Sequence, residues 1–143
     1  MAHSQTKLHT LDPVWQKITD EARSAVDAAP AMGSMLHAGI LQHDSFDDAL
    51  AYRIAMKLAS SEMSAQDLRE IADEAYGQSD SLTLDARADL VAVYERDPAC
   101  HRFLQPLLYF KGFQAVQAHR IGHWLWKEGR KDLAYFFQMR NSE

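Results

Sequence analysis

Apolar residues recur every three or four positions along most of the chain, which is the spacing of one face of an α-helix. In the first such segment, Val14, Ile18 and Ala22 follow this spacing. The same pattern predicts helices over residues 13–29, 31–43, 46–58, 65–76, 81–95, 106–128 and 130–140. Runs of alternating β-branched residues and Asn-Gly hairpin turns do not occur in the sequence. The predicted fold class is therefore all-α.

The ends of these segments carry residues that begin or stop helices. The predicted N-caps are Asp12, Ser45 and Ser64, and the predicted stops are Pro30, Gly77 and Gly129. Pro13 stands at a first helical position, where its missing N–H costs nothing. Asp48 and Asp67 each stand three residues after a serine cap, as in a capping box. These signals agree with the apolar spacing about where the helices lie.

The segment PLLYFKGFQAVQAHRIGHWLWKEG, from Pro106 to Gly129, is apolar on two sides when it is drawn as one continuous helix. One side carries Phe110, Phe113, Gln117, Ile121 and Trp124, the nearly opposite side carries Leu108, Ala115, Gly122 and Trp126, and a flank between them carries Arg120, His123 and Lys127. A helix with two apolar sides packs against two partners. One partner is the core of the domain, and the other is either another of its helices or another subunit.

Composition is that of an ordinary globular domain, with 143 residues of which 47% are apolar and 24% charged. A chain of this length forms a sufficient core without disulfides, and Cys100 is the single cysteine.

No apolar run approaches the roughly 20 residues of a membrane span. The N-terminal MAHSQTKLHTLDP also lacks the apolar core of a signal peptide. The sequence therefore predicts a single cytoplasmic domain in a reducing compartment, with no membrane partner.

Charge is unevenly distributed along the chain. Residues 1–98 contain 8 Lys and Arg against 17 Asp and Glu, a net charge of −9, and residues 99–143 contain 7 against 3, a net charge of +4. A basic end on an acidic body is compatible with nucleic-acid binding. Here the basic residues stand singly along helices, so a solvated helix face is the favoured interpretation and no nucleic-acid partner is expected.

Few residues are arranged for chemistry. No P-loop, dinucleotide-binding motif, nucleophile elbow or paired-cysteine zinc site occurs. Cys100 follows Asp-Pro-Ala without a motif that would stabilise a thiolate, so no catalytic role is expected for it. His119 and His123 stand four residues apart, as two metal ligands on a helix would, but no carboxylate joins them at helical spacing. Local hydrogen bonding is favoured over metal binding for both histidines.

The remaining candidate is Asp97, in the sequence YERDPACHR. A carboxylate in the turn before a helix can point outward from a rigid corner, which suits the binding of an ammonium group. Asp-Pro pairs also begin helices, as Asp12 and Pro13 do in this chain. The residues alone favour the role of a helix cap for Asp97.

Two stretches give the chain a family resemblance. RDPA at 96–99 and PLLYFKGFQAVQAHRIGHWLW from Pro106 closely resemble the N-terminal region of bacterial serine acetyltransferases. The resemblance extends to PVWQKITDEARSA, SMLHAGILQHDSFDDALAYRIAMKLAS and DEAYGQSD, and so covers nearly the whole chain.

The resemblance implies an architecture. In this family a helical N-terminal domain precedes a left-handed parallel β-helix of hexapeptide repeats, which this chain does not contain. The β-helices form trimers, and the helical domains join two trimers into a hexamer. The helix with two apolar sides would then lie between its own domain and neighbouring subunits or the first coils of the β-helix. Residues 1–143 are accordingly expected to be the assembly and serine-site domain, without the catalytic domain.

The resemblance also implies an activity, the transfer of acetyl from acetyl-CoA to L-serine to give O-acetylserine in cysteine biosynthesis. The general-base histidine and its aspartate are expected beyond residue 143, so the chain alone is expected to be inactive and to bind no cofactor. Asp97 corresponds to the family's serine-binding carboxylate, in a pocket that also receives L-cysteine as feedback inhibitor. The family's partner O-acetylserine sulfhydrylase binds a C-terminal tail that is absent here.

Two other functions stay open from the residues. The chain could be a stand-alone helical oligomerisation module without a ligand. It could also be a helical metal-binding or haem-binding protein that uses His119 and His123.

Overall fold

The chain folds into helices throughout the part that the computed structural model describes, residues 12–142. The helices are α1 Pro13–Ala28, α2 Gly33–Leu36, α3 Phe46–Leu58, α4 Ala65–Gln78, α5 Asp80–Arg96, α6 Leu104–Tyr109, α7 Lys111–Lys127 and α8 Lys131–Asn141. No strand occurs among these residues, which confirms the predicted all-α class. Residues 1–11, which include most of the segment examined for a signal peptide, lie outside the described part.

The predicted N-caps begin α1, α3 and α4. The carboxylate of Asp12 accepts a hydrogen bond from the backbone N–H of Trp15 at 3.2 Å. Ser45 and Ser64 each accept from the backbone N–H three residues later, at 3.1 Å. These bonds satisfy N–H groups that have no partner within the helix, so local sequence alone determines where the three helices begin.

The two glycines predicted as helix stops behave differently. Gly129 has a φ of +80° and ends α7, as predicted. Gly77 lies inside α4, and the prediction that it ends this helix is wrong. The helix continues through Gln78 and ends where the backbone of Ser79 becomes extended. Glycine is permitted a left-handed conformation but is not obliged to take it.

The predicted second helix is made of three different helical turns. A 3₁₀ turn at Pro30–Met32 leads into α2, and a π-helical turn at His37–Leu41 follows it. The N–H of Gln42 bonds to the carbonyl five residues earlier at 2.9 Å, as a π turn requires. Gly39 lies in this turn, where a Cβ atom would approach the guanidinium of Arg53 to 2.7 Å. A side chain at this position would force the end of the Arg53 side chain or Leu108 to shift.

The predicted long helix from Pro106 is interrupted, so its treatment as one continuous helix is wrong. Phe110 has an extended backbone, with φ −95° and ψ 101°, and it separates α6 from α7. The buried side chain of Gln114 donates to the carbonyl of Leu107 at 2.9 Å, which satisfies a carbonyl at the end of α6. Leu108 and Phe110 therefore lie outside α7 and do not belong to its two sides.

Within α7 the first apolar side is buried in the core. Phe113, Gln117 and Ile121 are buried there, and α7 packs against α3, α4, α5 and α8. The opposite side packs on α8 at Gly122, where a Cβ atom would lie 3.5 Å from Phe137. Trp126, on the same side, remains 43% exposed. The second partner of α7 is thus a helix of its own domain, which covers that side only in part.

Within residues 12–142, none of the helices is long and apolar enough to cross a membrane.

Candidate functional site

Asp97 lies at the corner where α5 ends. Its backbone N–H bonds to the carbonyl of Val93 at 2.9 Å and closes the last turn of the helix. Its own backbone is extended, with φ −93° and ψ 113°. Because Pro98 follows, the helical conformation is sterically disfavoured at Asp97, and α5 ends there. The sequence Asp-Pro thus ends a helix here, whereas at Asp12 it begins one.

Asp97 is therefore not the start of a helix, as the Asp-Pro pair suggested; it is the C-cap residue of α5 and is followed by a turn. No helix starts at Pro98, and the next one, α6, begins at Leu104. The carboxylate of Asp97 instead accepts from the backbone N–H of Ala99 at 2.9 Å, through Oδ1. The N–H of Cys100 bonds to the carbonyl of Asp97 at 2.9 Å. Asp97 is the first residue of a tight turn whose geometry its own side chain fixes.

The start of α6 is capped from another part of the chain. Glu21, on α1, accepts from the backbone N–H groups of Phe103 and Leu104 at 3.2 and 3.0 Å, one with each carboxylate oxygen. Gln105 accepts from the N–H groups at positions 101 and 102, at 2.6 and 2.7 Å. These bonds hold the segment 98–103 in place. No signal in the local sequence could identify Glu21, since it stands far from α6 along the chain.

A cation held between two aromatic rings joins α1 to this corner. The ammonium of Lys17 lies 5.0 Å from the ring centroid of Tyr94 and 4.5 Å from that of Phe103. The two rings meet edge to face at 4.6 Å. Such contacts are favourable for both the cation and the rings. The end of α5 and the start of α6 are therefore attached to α1 on both sides of the turn, which constrains the position of Asp97.

The free side of Asp97 has the properties of an ammonium site. The half-buried carboxylate lines a shallow depression of about 300 Å³ with Ala92, Val93 and Arg96. Its Oδ2 atom forms no hydrogen bond with any residue in 12–142. The C-terminal end of α5 adds partial negative charge beside it. A small cation would therefore find an unpaired acceptor on a fixed backbone.

His119 and His123 do not share this depression. Both are exposed on α7 and face open grooves on its surface. Within residues 12–142, no group of three or more His, Cys, Asp or Glu side chains is placed to hold a metal ion. Two exposed histidines without a third ligand do not form an ordinary protein metal site.

Cys100 is buried next to the turn. Its thiol donates to the carbonyl of Arg102 at 3.3 Å. Burial raises the pKa of the thiol, because the charged thiolate loses its hydration, and the nearby carboxylates of Asp97 and Glu21 act in the same direction. This environment suits a structural cysteine better than a nucleophile.

Comparison with known proteins identifies the family. The sequence model described as serine acetyltransferase, N-terminal, matches residues 14–118. This chain belongs to the serine acetyltransferase family. The serine acetyltransferase of Salmonella typhimurium is 47% identical over 128 residues, which are 90% of this chain and 47% of the relative. That of Haemophilus influenzae is 46% identical over 129 residues, covering 90% of this chain and 48% of the relative. The chain thus spans about half the length of these serine acetyltransferases.

Solved serine acetyltransferases have the same helical arrangement. The Neisseria gonorrhoeae enzyme in complex with serine matches with a TM-score of 0.88 and 47% identity, over 90% of this chain and 54% of that one. The Brucella abortus enzyme in complex with coenzyme A matches with a TM-score of 0.90 and 44% identity, over 94% of this chain and 54% of that one. The family and the fold implied by the sequence resemblance are both confirmed.

Proposed function

We propose that this chain is the helical domain of a serine O-acetyltransferase, the enzyme that transfers acetyl from acetyl-CoA to L-serine. In the reaction the serine hydroxyl oxygen forms a bond to the acetyl carbon while the thioester C–S bond breaks. The hydroxyl proton passes to a general base and the thiolate of coenzyme A leaves. The general-base histidine and its aspartate belong to the β-helical half of the enzyme, so residues 1–143 alone have no activity.

Asp97 is the contribution of the helical domain to the serine site. The observation that carries this role is the unpaired Oδ2 atom of a half-buried carboxylate on a rigid corner. The ammonium of serine would donate to it in a charge-assisted hydrogen bond. L-cysteine carries the same ammonium group and would compete for the same atom, which makes it a feedback inhibitor. A related enzyme has been solved with serine bound, in support of this substrate.

The test replaces Asp97 in an active enzyme. The chain is joined after residue 143 to the β-helical half of the Salmonella typhimurium relative, and Asp97→Asn is compared with the unsubstituted protein. Loss of one charge-assisted bond, about 1.5–3 kcal/mol, raises the KM for serine roughly ten- to hundred-fold. The inhibition constant of cysteine rises by a similar factor, whereas the KM for acetyl-CoA stays unchanged.

The matched control is Glu95→Gln, which removes the same charge from an exposed position in the last turn of α5. It should change neither the KM for serine nor the inhibition constant of cysteine by more than about twofold, because exposed charges are screened by solvent. Equal effects of the two substitutions, or unchanged serine and cysteine constants in Asp97→Asn, would show that Asp97 does not bind the substrate.

A second candidate function is assembly without a ligand, in which the domain serves only to join subunits. Exposed apolar side chains on α7 and α8 favour it, with Trp126, Tyr135 and Met139 43%, 56% and 49% exposed. Assembly through this surface is compatible with the first proposal, in which the helical domains join two trimers into a hexamer. The two candidates differ in what Asp97→Asn does to substrate binding.

A further inference from the structure

A pocket lined by four basic side chains and, among residues 12–142, by no acidic one lies between α3, α7 and α8. It has a volume of about 460 Å³, and the residues on which the argument depends are Arg53, Lys57, Lys111, Arg140, Leu108 and Gln114. We call it the basic pocket. It is separate from the depression at Asp97, with which it shares no lining residue.

Three of these four cations have no counter-charge among residues 12–142. Arg53, Lys57 and Lys111 form no ion pair within 4.0 Å with any acidic side chain in 12–142. Arg140 donates to the backbone carbonyls of Leu58 and Ala59 at 2.9 and 3.1 Å. Positive charges collected in a concave surface produce a strong local potential, which attracts anions.

The guanidinium of Arg53 is held in place without its charge being neutralised. Gly39 leaves the space that it occupies, and the ring of Tyr52 lies 5.6 Å from its central carbon. Its Nε atom is buried without a hydrogen-bond partner among the described residues. An arginine so placed has a rigid set of N–H donors that is suited to an oxyanion.

The start of α7 lies beside the pocket. Lys111 is the first residue of this 17-residue helix, and no side chain caps it at Phe110. The first N–H groups of a helix have no partner within it and carry the positive end of its dipole. Lys111 and Gln114, both in the first turn of α7, line the pocket. A helix start combined with basic side chains is the usual composition of a phosphate site.

We propose that the basic pocket binds a tetrahedral oxyanion dianion, a phosphate or sulfate group that is either free or carried as the monoester of a small molecule. The dianion would accept from Arg53, Lys57 and Lys111 and approach the start of α7. Leu108 forms an apolar wall beside these cations, and the volume exceeds that of a single phosphate, so a monoester has room for its organic group. This site is independent of the serine site proposed at Asp97.

The test is calorimetric titration of the 143-residue chain with inorganic phosphate and with phenyl phosphate, at constant ionic strength maintained with chloride. Saturable binding with one site is expected. Tighter binding of phenyl phosphate identifies a monoester ligand, and equal binding identifies the free dianion. In ¹⁵N spectra the amide signals of Gly112 and Phe113 should move most, because their N–H groups lie at the start of α7.

Arg53→Gln and Lys111→Gln should each weaken binding about tenfold or more, since each removes a charge-assisted contact. Lys111 is exposed, so its substitution leaves the fold intact even if Arg53→Gln does not. Lys127→Gln is the matched control, because it removes the same charge from the other end of α7. The proposal is overturned if no saturable binding occurs, or if Lys127→Gln weakens binding as much as Lys111→Gln.

Discussion

Arg87 joins the beginnings of two helices that are distant in sequence. Its guanidinium lies 2.7 Å from the carboxylate of Asp12 and 3.0 Å from that of Asp47, and it stacks on the ring of Phe46 at 4.8 Å. Burial lowers the pKa of Arg87, but the hydrogen bond and charge of Asp12, with the charge of Asp47, outweigh it and raise the pKa overall. The sequence shows Asp12 as a cap, whereas only the fold shows that the same carboxylate has a second partner.

His43 is the buried ionisable group from which we predict a pH dependence. Its ring nitrogen Nε2 lies 2.8 Å from the carbonyl of Ala38, and its side chain is 5% exposed. Burial lowers the pKa of His43 below its ordinary value of 6.5, despite the hydrogen bond to Ala38 and the carboxylate of Asp48, which act in the opposite direction. Arg69 and Arg53 also face the ring and lower the pKa.

A lowered pKa in the folded state means that the unfolded chain binds the proton more tightly. The contribution of His43 to stability is therefore complete above pH 6.5 and is lost as the pH falls below this value. The free energy of unfolding, measured in urea at pH 7.5 and pH 5.5, should fall less on acidification in His43→Gln than in the unsubstituted chain. Both chains contain the same carboxylates, whose protonation also lowers stability in acid. The difference between the two falls in unfolding free energy is therefore due to His43. An identical fall in both would contradict the prediction.

At the scale of elements, some helix ends are determined by residues close in sequence and others by residues from a different helix. The caps at α1, α3 and α4 lie within three residues of the N–H groups that they bind, so the sequence shows them. The start of α6 is bound by Glu21 from α1, and the end of α6 by Gln114 from α7. These partners come together only when the helices pack. The local sequence therefore contains no signal for the break at Phe110, and it predicts one continuous helix from Pro106.

Gly77, in α4, and Gly129, just after α7, allow a matched prediction. A Cβ atom added at Gly77 or at Gly129 meets no other atom within 4 Å, so the two positions differ only in backbone conformation. Gly129→Ala should reduce the free energy of unfolding by about 1–2 kcal/mol, because φ is positive there. Gly77→Ala should raise it by about 0.5–1 kcal/mol, as expected for a helix interior. Urea denaturation measures both, and destabilisation by Gly77→Ala would show that its position in α4 is incorrect.

For the whole molecule, the uneven charge of the sequence is partly neutralised within the fold. Arg120 of α7 pairs with Asp89 of α5, and Arg130 pairs with Glu74 of α4. The basic C-terminal part thus packs on the acidic helices before it. The interpretation as a solvated basic face agrees with exposed Lys127 and with the exposed pair Arg130–Glu74, whereas Arg120 is partly buried against α5. These ion pairs also leave less free positive charge for a nucleic-acid partner.

The surface of α7 and α8 should make the chain associate with itself. Trp126 and Tyr135 meet edge to face at 5.6 Å and both remain about half exposed. Sedimentation at increasing concentration should show reversible association, which Trp126→Gln with Tyr135→Gln weakens. Leu84→Gln is the control, since Leu84 is 62% exposed on α5 and is not part of this surface. A monomer up to high micromolar concentration would count against assembly through α7 and α8.

The sequence by itself determined the all-α class, the family and the position of most helices. Apolar spacing and caps are local, and the motif around Asp97 is contiguous, so no folding was needed to recognise them.

The tertiary structure decided what depends on residues distant in sequence. The break at Phe110, the capping of α6 by Glu21 and the basic pocket all combine side chains from different helices. It also decided the backbone conformation at Asp97, since an Asp-Pro pair begins or ends a helix depending on the conformation of the chain before it. At Asp12 the helix follows the pair, whereas at Asp97 it precedes the pair. Pro98 ends α5, and Glu21 of α1 binds the segment that comes after the turn.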